Sequence, residues 1–159
     1  MSTSSMSCHV HLRNGTIYLP TIGKMDEGFY REVEPVVVVS ASDFEEIRRA
    51  LQTIIARGNP MVPMLRRSEI PPPVILKYAG VKRWSEFERG LTFWTIKQYD
   101  GAFQIEGQAK QSDGGWRTDP ERKIVFSPNA TADEVTDRMI TILQDAAKKP
   151  QDGKAQKNP

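Results

Sequence analysis

A chain of 159 residues, 38% hydrophobic and 26% charged, is long enough to bury an ordinary core as one domain and too apolar for a disordered or fibrous protein. Its net charge of +2 belongs to its end: residues 148–159 hold four lysines and one aspartate, and the remainder sets 18 basic against 19 acidic residues. A near-neutral body excludes the concentrated positive surface of a nucleic-acid-binding domain.

Residues 1–8 are serine-rich and predict a disordered start, with the domain running over residues 9–147. Val10-His-Leu-Arg, Asn14-Gly15 and Thr16-Ile-Tyr-Leu predict a hairpin with a two-residue turn, because both turn positions must take positive φ. That register sets Leu12 against Ile17, Val10 against Leu19 and His11 against Tyr18, and Pro20 should end the second strand. The next strand spans residues 30–40. Its four consecutive valines predict cover on both faces and hence a central place in the sheet, with a bulge or strand start at Pro35.

Ser42 and Glu45 have capping-box spacing, and Phe44, Ile47, Leu51, Ile54 and Ile55 follow a helical period that Gly58 closes. Prolines make residues 59–73 a loop. Residues 74–78 read as an extended piece, and residues 81–89 as a short helix ended by Gly90. Around Asp100-Gly101 a second hairpin pairs Tyr99 with Ala102, Gln98 with Phe103 and Ile96 with Ile105. Trp94, Ile96, Phe103 and Ile105 then share an apolar face, and Thr95, Lys97, Gln104 and Glu106 a polar one. A strand through Ile124 and Phe126 follows. The last helix opens on a Thr131–Glu134 capping box, with Val135, Met139, Ile142, Leu143 and Ala146 as its stripe. The fold class is α+β: an antiparallel sheet built from hairpins and packed by two to three helices in two layers. The lysine-rich tail, residues 148–159, should stay disordered.

Chemistry is sparse. One cysteine, Cys8, allows no internal disulfide and fits a reducing compartment, so a cytoplasmic location is expected. Residues 1–7 lack the basic and apolar regions of a signal peptide, and residues 36–39 form the longest β-branched run, too short for a bilayer. His9 and His11 alternate onto one strand face and would meet a metal only if a carboxylate joined them. As two ligands at a fraying edge they read as surface histidines, and neither a metal nor another cofactor is expected. Asp100, Glu121 and Lys123 have the residue types of a metal-dependent hydrolase or nuclease, although such a triplet is also an ordinary solvated strand entrance. No nucleophile elbow or phosphate loop is present. The chain is expected not to be an enzyme.

For a binding surface, Tyr78, Arg83 and Trp84 form a basic-aromatic cluster of the kind that dominates protein interfaces. Asp26, Glu27, Glu32 and Glu34 make an acidic group before the valine run; the blander reading is a solvated strand entrance. The expected partner is a protein, with neither nucleic acid nor membrane. An interaction module of unspecified partner accounts for the same features.

At Asn14-Gly-Thr-Ile-Tyr-Leu-Pro and at residues 71–88, from the triple proline through Lys82-Arg-Trp-Ser-Glu-Phe-Glu, the chain resembles small bacterial immunity proteins. These accompany contact-dependent growth-inhibition and related polymorphic toxins. The resemblance spans about residues 8–143. It implies a cytoplasmic protein that binds one cognate toxin domain and blocks it without turnover. No family motif fixes a functional residue, so none is carried over.

Overall fold

Strand β1 (Met6–Arg13) lies inside a six-stranded antiparallel sheet with β2 (Thr16–Lys24), β3 (Tyr30–Ser40), β4 (Leu91–Tyr99), β5 (Ala102–Lys110) and β6 (Trp116–Val125). The strand order is β3-β2-β1-β4-β5-β6, so two three-stranded meanders meet along β1 and β4. The computed structural model describes residues 4–149, apart from the side chain of Glu27; the expected tail lies outside the described residues from residue 150 onward. Among the described residues there are four α-helices: α1 (Phe44–Arg57), α2 (Ile75–Ala79), α3 (Trp84–Phe87) and α4 (Ala132–Ala147). The α+β class and its antiparallel, hairpin-built sheet are as the sequence indicates.

The second hairpin keeps its expected register, and the first keeps it next to the turn, although the expected Val10–Leu19 pair is not formed. His11 faces Tyr18 and Leu12 faces Ile17, while Ile96 faces Ile105 and Tyr99 faces Ala102. The turns need glycine for the expected reason: Asn14 and Gly15 sit at φ 52° and 77°, Asp100 and Gly101 at 50° and 84°.

Alternation along the strands sorts the side chains onto two faces. On one, Cys8, Val10, Leu12, Trp94, Ile96, Phe103 and Ile105 pack beneath α1 and α4. Those two helices lock together through Ile47, Leu51, Ile54, Val135, Met139 and Leu143 and carry an Arg48–Asp137 ion pair on their outer side. On the other face, α2 and α3 cover one half of the sheet with Ile75, Leu76 and Phe87 against Tyr18, Val36 and Leu91.

Several expectations are corrected. β1 begins at Met6, inside the segment expected to be disordered, because residues 6–13 are paired rung for rung with β4. Pro20 does not end β2. It stands opposite Val36 of β3, the β1–β2 pairing has stopped at His11–Tyr18, and the β2–β3 register shifts immediately after it. β3 is an edge strand rather than a central one. Val39 and Val37 are covered on the α1 side and Val36 on the α2 side, while Val38 is exposed, so burial on both faces arises here without two neighbouring strands. Glu34 and Pro35 are the residues skipped at the register shift, which is the expected bulge. Residues 75–79 are helical, not extended: the Leu76 N–H returns to Pro73 O, and Gly80 closes the turn at φ 71°. The N-cap of α1 is Asp43 rather than Ser42, accepting from the Glu46 N–H, while the Ser42 hydroxyl bonds that of Ser40. Phe44 in consequence sits at 44% exposure, outside the core stripe.

Residues 59–73 are tied down at their start. β1 and β2 splay beyond their hairpin, and the Asn59 side chain fills the gap. Its Oδ1 accepts the Ser7 N–H at 3.0 Å, and its Nδ2 donates to Ser7 O at 2.8 Å and Ile22 O at 2.9 Å. Lys24 then exchanges backbone bonds with Pro60 and Val62, and Val62 packs so closely on Gly23 that no Cβ would fit there.

Replacing Asn59 by alanine strands three backbone groups, each worth about 1–3 kcal/mol when buried and unpaired. Urea denaturation should show a loss of about 2–4 kcal/mol for Asn59→Ala and about 3 kcal/mol for Leu51→Ala, against under about 1 kcal/mol for Phe44→Ala. An Asn59→Ala chain as stable as the parent would remove the plug from this account.

Candidate functional site

The half-covered face of the sheet gathers the polar chemistry. β1 alternation brings His9 and His11 to this face together with Tyr18 of β2 and Phe93 of β4. His11 is 1% exposed; its ring stacks on Phe93 at 4.4 Å and meets the edges of Phe87 and Trp84 at 5.7 and 6.4 Å. Glu32, on β3, reaches across β2 to both imidazoles. His9 Nδ1 lies 2.7 Å and His11 Nε2 2.8 Å from the same Glu32 oxygen, Oε2. These are not surface histidines. The carboxylate that sequence spacing left missing comes from two strands away.

Burial by itself would raise the Glu32 carboxyl. The charge and hydrogen bond of His11, with those of His9, outweigh it and hold the group far below the ordinary carboxylate range. Glu32 is therefore committed to the interior cluster and is not part of a free acidic surface.

The other expected binding residues fall as follows. Glu34 is exposed at the β3 bulge and pairs with Lys77 and with the Tyr78 hydroxyl, both on α2. Those contacts, the Lys77 bond first, lower the Glu34 carboxyl from its usual value. Of the expected acidic and basic-aromatic groups, Glu34 and Tyr78 thus share one surface at the edge strand, and the others do not join them. Beside it, residues 31–34 and 70–74 line a groove of about 500 Å³, with Ile70, Val38 and Tyr78 exposed. Trp84 is half-buried in the small core under α3, and Arg83 is exposed and pairs with Glu86 at 3.6 Å. Asp26 is exposed in a 3-10 turn at the far end of the β2–β3 hairpin; the side chain of Glu27 lies outside the described residues.

Asp100, Glu121 and Lys123 are not brought together. Asp100 is in the β4–β5 turn, whereas Lys123 pairs with Glu106, four rungs beyond Tyr99–Ala102 and roughly 13 Å along the strands. Glu121 lies further still.

Sequence reading also missed a second polar hub. Glu106, 4% exposed, accepts from Thr118 at 3.2 Å and Thr95 at 3.5 Å and pairs with Lys97 at 3.6 Å; Gln108 bonds the same two threonines. The sequence placed Thr95, Lys97 and Glu106 on one face, yet only the third strand, with Thr118, closes the network. Across the sheet, the Arg122 guanidinium fills the space over Gly107 and lies 5.6 Å from the Trp94 ring centre.

No protein-family model and no curated protein matches this chain. Its fold is found in solved structures. A protein of unknown function from Neisseria meningitidis superposes with a TM-score of 0.58 at 11% identity, over 92% of this chain and 96% of that one. A chain of a CdiA-CT/CdiI toxin and immunity complex from Yersinia pseudotuberculosis does so with a TM-score of 0.57, also at 11% identity, over 93% of this chain and 98% of that one. At such identity the likeness is one of fold. Among the described residues, no helix is long and apolar enough to cross a membrane.

Two measurements check the electrostatics. Because the folded Glu32 value is depressed, its contribution to stability is complete above the unfolded value of about 4.3 and is lost as pH falls below it. The stability gap between the parent and Glu32→Gln, read by urea denaturation, should therefore be full at pH 5 and narrow toward pH 3; a gap that widens between pH 5 and pH 3 would refute the assignment. Cys8 is buried in the main core, and burial pushes its thiol up to about 12. Iodoacetamide at pH 8 should leave it unmodified in the folded chain and alkylate it in urea.

Proposed function

We propose that this chain is a non-enzymatic cytoplasmic protein that binds and neutralises a cognate toxin domain. The observation that carries the reading is the near end-to-end likeness of its fold to a chain of a toxin and immunity complex. A protein of this kind acts by shape and charge complementarity, blocking the toxin without turning anything over.

The β3 side is the face we assign to the partner. It offers an edge strand, a groove against residues 70–74, exposed Ile70 and Tyr78, and the charges of Glu34 and Lys77. The opposite face of the sheet lies under α1 and α4. An aromatic hydroxyl held by a carboxylate gives a defined amphipathic anchor, the kind of residue that carries interface energy. The exposed Glu34 pairs themselves add little to stability, so they can be altered without unfolding the chain.

The test is co-expression with a candidate toxin domain, sought first among the genes beside this chain's own. The parent chain should restore growth and form a one-to-one complex. The double variant Glu34→Arg, Tyr78→Ala should keep its unfolding midpoint and lose about thirtyfold in affinity, the factor that corresponds to about 2 kcal/mol at a hot spot. Growth restored with no complex formed, or a double variant that binds like the parent, would sink the proposal.

A further inference from the structure

We propose that His9, His11 and Glu32 form a divalent transition-metal site, with zinc the ion that their donors fit, fastening edge strand β3 to central strand β1. Three ligand atoms from three side chains lie within 4.8 Å of one another, two imidazole nitrogens and one carboxylate oxygen. Two nitrogens with one oxygen, and a fourth position left for water, make a common zinc donor set.

The rings are held before any ion arrives. His11 lies flat on Phe93 with 11° between the planes, and His9 stands edge-on to the same ring at 5.3 Å. Nδ1 of His11 is buried and, among the described residues, has no partner, so the polar contact of this ring runs through Nε2 toward Glu32. A tetrahedral ion with bonds of about 2.0–2.1 Å separates its ligand atoms by about 3.3 Å. The present separations from Glu32 Oε2, 2.7 and 2.8 Å, are shorter by about half an ångström at that spacing. Glu32 is the one ligand on an edge strand and has three rotatable bonds, so a small withdrawal of its carboxylate opens the position while the rings stay. His9, with its side chain 23% exposed, gives the ion a way in and a place for the water ligand. Cys8 is not a ligand: alternation points it to the opposite face, into the core beneath α1 and α4.

Such an ion would clamp β3 across β2, in the stretch that lines the groove described above. Any species that binds only the folded chain raises its stability in proportion to the logarithm of its concentration. The inference does not rest on the toxin-binding reading, since the site is complete within this chain.

The experiment uses the full, tag-free chain stripped with a chelator and titrated with zinc chloride by calorimetry, and with cobalt chloride by absorption. The expected result is one ion per chain, a higher unfolding midpoint with zinc, and a tetrahedral cobalt spectrum without a thiolate band. His9→Asn and Glu32→Gln, checked for folding by circular dichroism, should each weaken zinc binding by about tenfold or more, and Cys8→Ser should leave it unchanged. Absence of stoichiometric binding at micromolar zinc would overturn the site, as would parental affinity in both ligand variants. A thiolate-to-cobalt band would overturn it too, by assigning the ion to Cys8.

Discussion

The backbone pairing of β1 with β4 is the interaction on which the other features depend. It runs without interruption from Met6–Gln98 to Arg13–Leu91 and joins two meanders that would otherwise each expose a long unpaired flank. Two consequences follow directly. β1 becomes internal, so its alternating side chains are buried on both faces, apolar toward α1 and α4 and imidazole toward the other side. β3 and β6 become the edges, and edges are where a sheet can meet another chain.

The middle of the sheet also explains why its polar side is organised. Burying His11 and Glu106 is tolerable only where hydrogen-bond partners are at hand. Glu32 supplies them in one half and Thr95, Thr118 and Lys97 in the other. In the first half the short helices complete the enclosure, with Phe87 and Trp84 against the His11 ring. Those helices also place Lys77 and Tyr78 over β3, which links the interior cluster and the exposed edge through neighbouring residues of one strand, Glu32 and Glu34.

What the sequence disclosed was local. Asn14-Gly15 and Asp100-Gly101 specify their turns outright, so both registers could be read; Leu51 and Leu143 follow a helical period that leaves one face apolar. What it concealed was non-local. No residue between 13 and 91 announces that β1 will pair with β4, and without that pairing His9 and His11 read as frayed ends. The valines of β3 suggested a central strand because burial, not strand neighbours, sets composition, and short helices can supply burial as well as strands can. Residues 74–78 misled for a related reason: Val74 and Ile75 favour strands, and the packing of Ile75 and Leu76 against Tyr18 and Val36 overrides that preference. Of the site itself, the residue types were visible on both sides, the histidines in one group and the glutamates in another. Their meeting required the sheet order.

Hydrogen exchange of the free chain and of its mixture with the toxin domain, followed peptide by peptide, tests the assignment of the partner face most directly. The account predicts added protection in residues 31–38 and 70–78, with β6 and the outer side of α4 unchanged. Protection confined to β6 or to the α1–α4 side, with β3 exchanging as in the free chain, would contradict it.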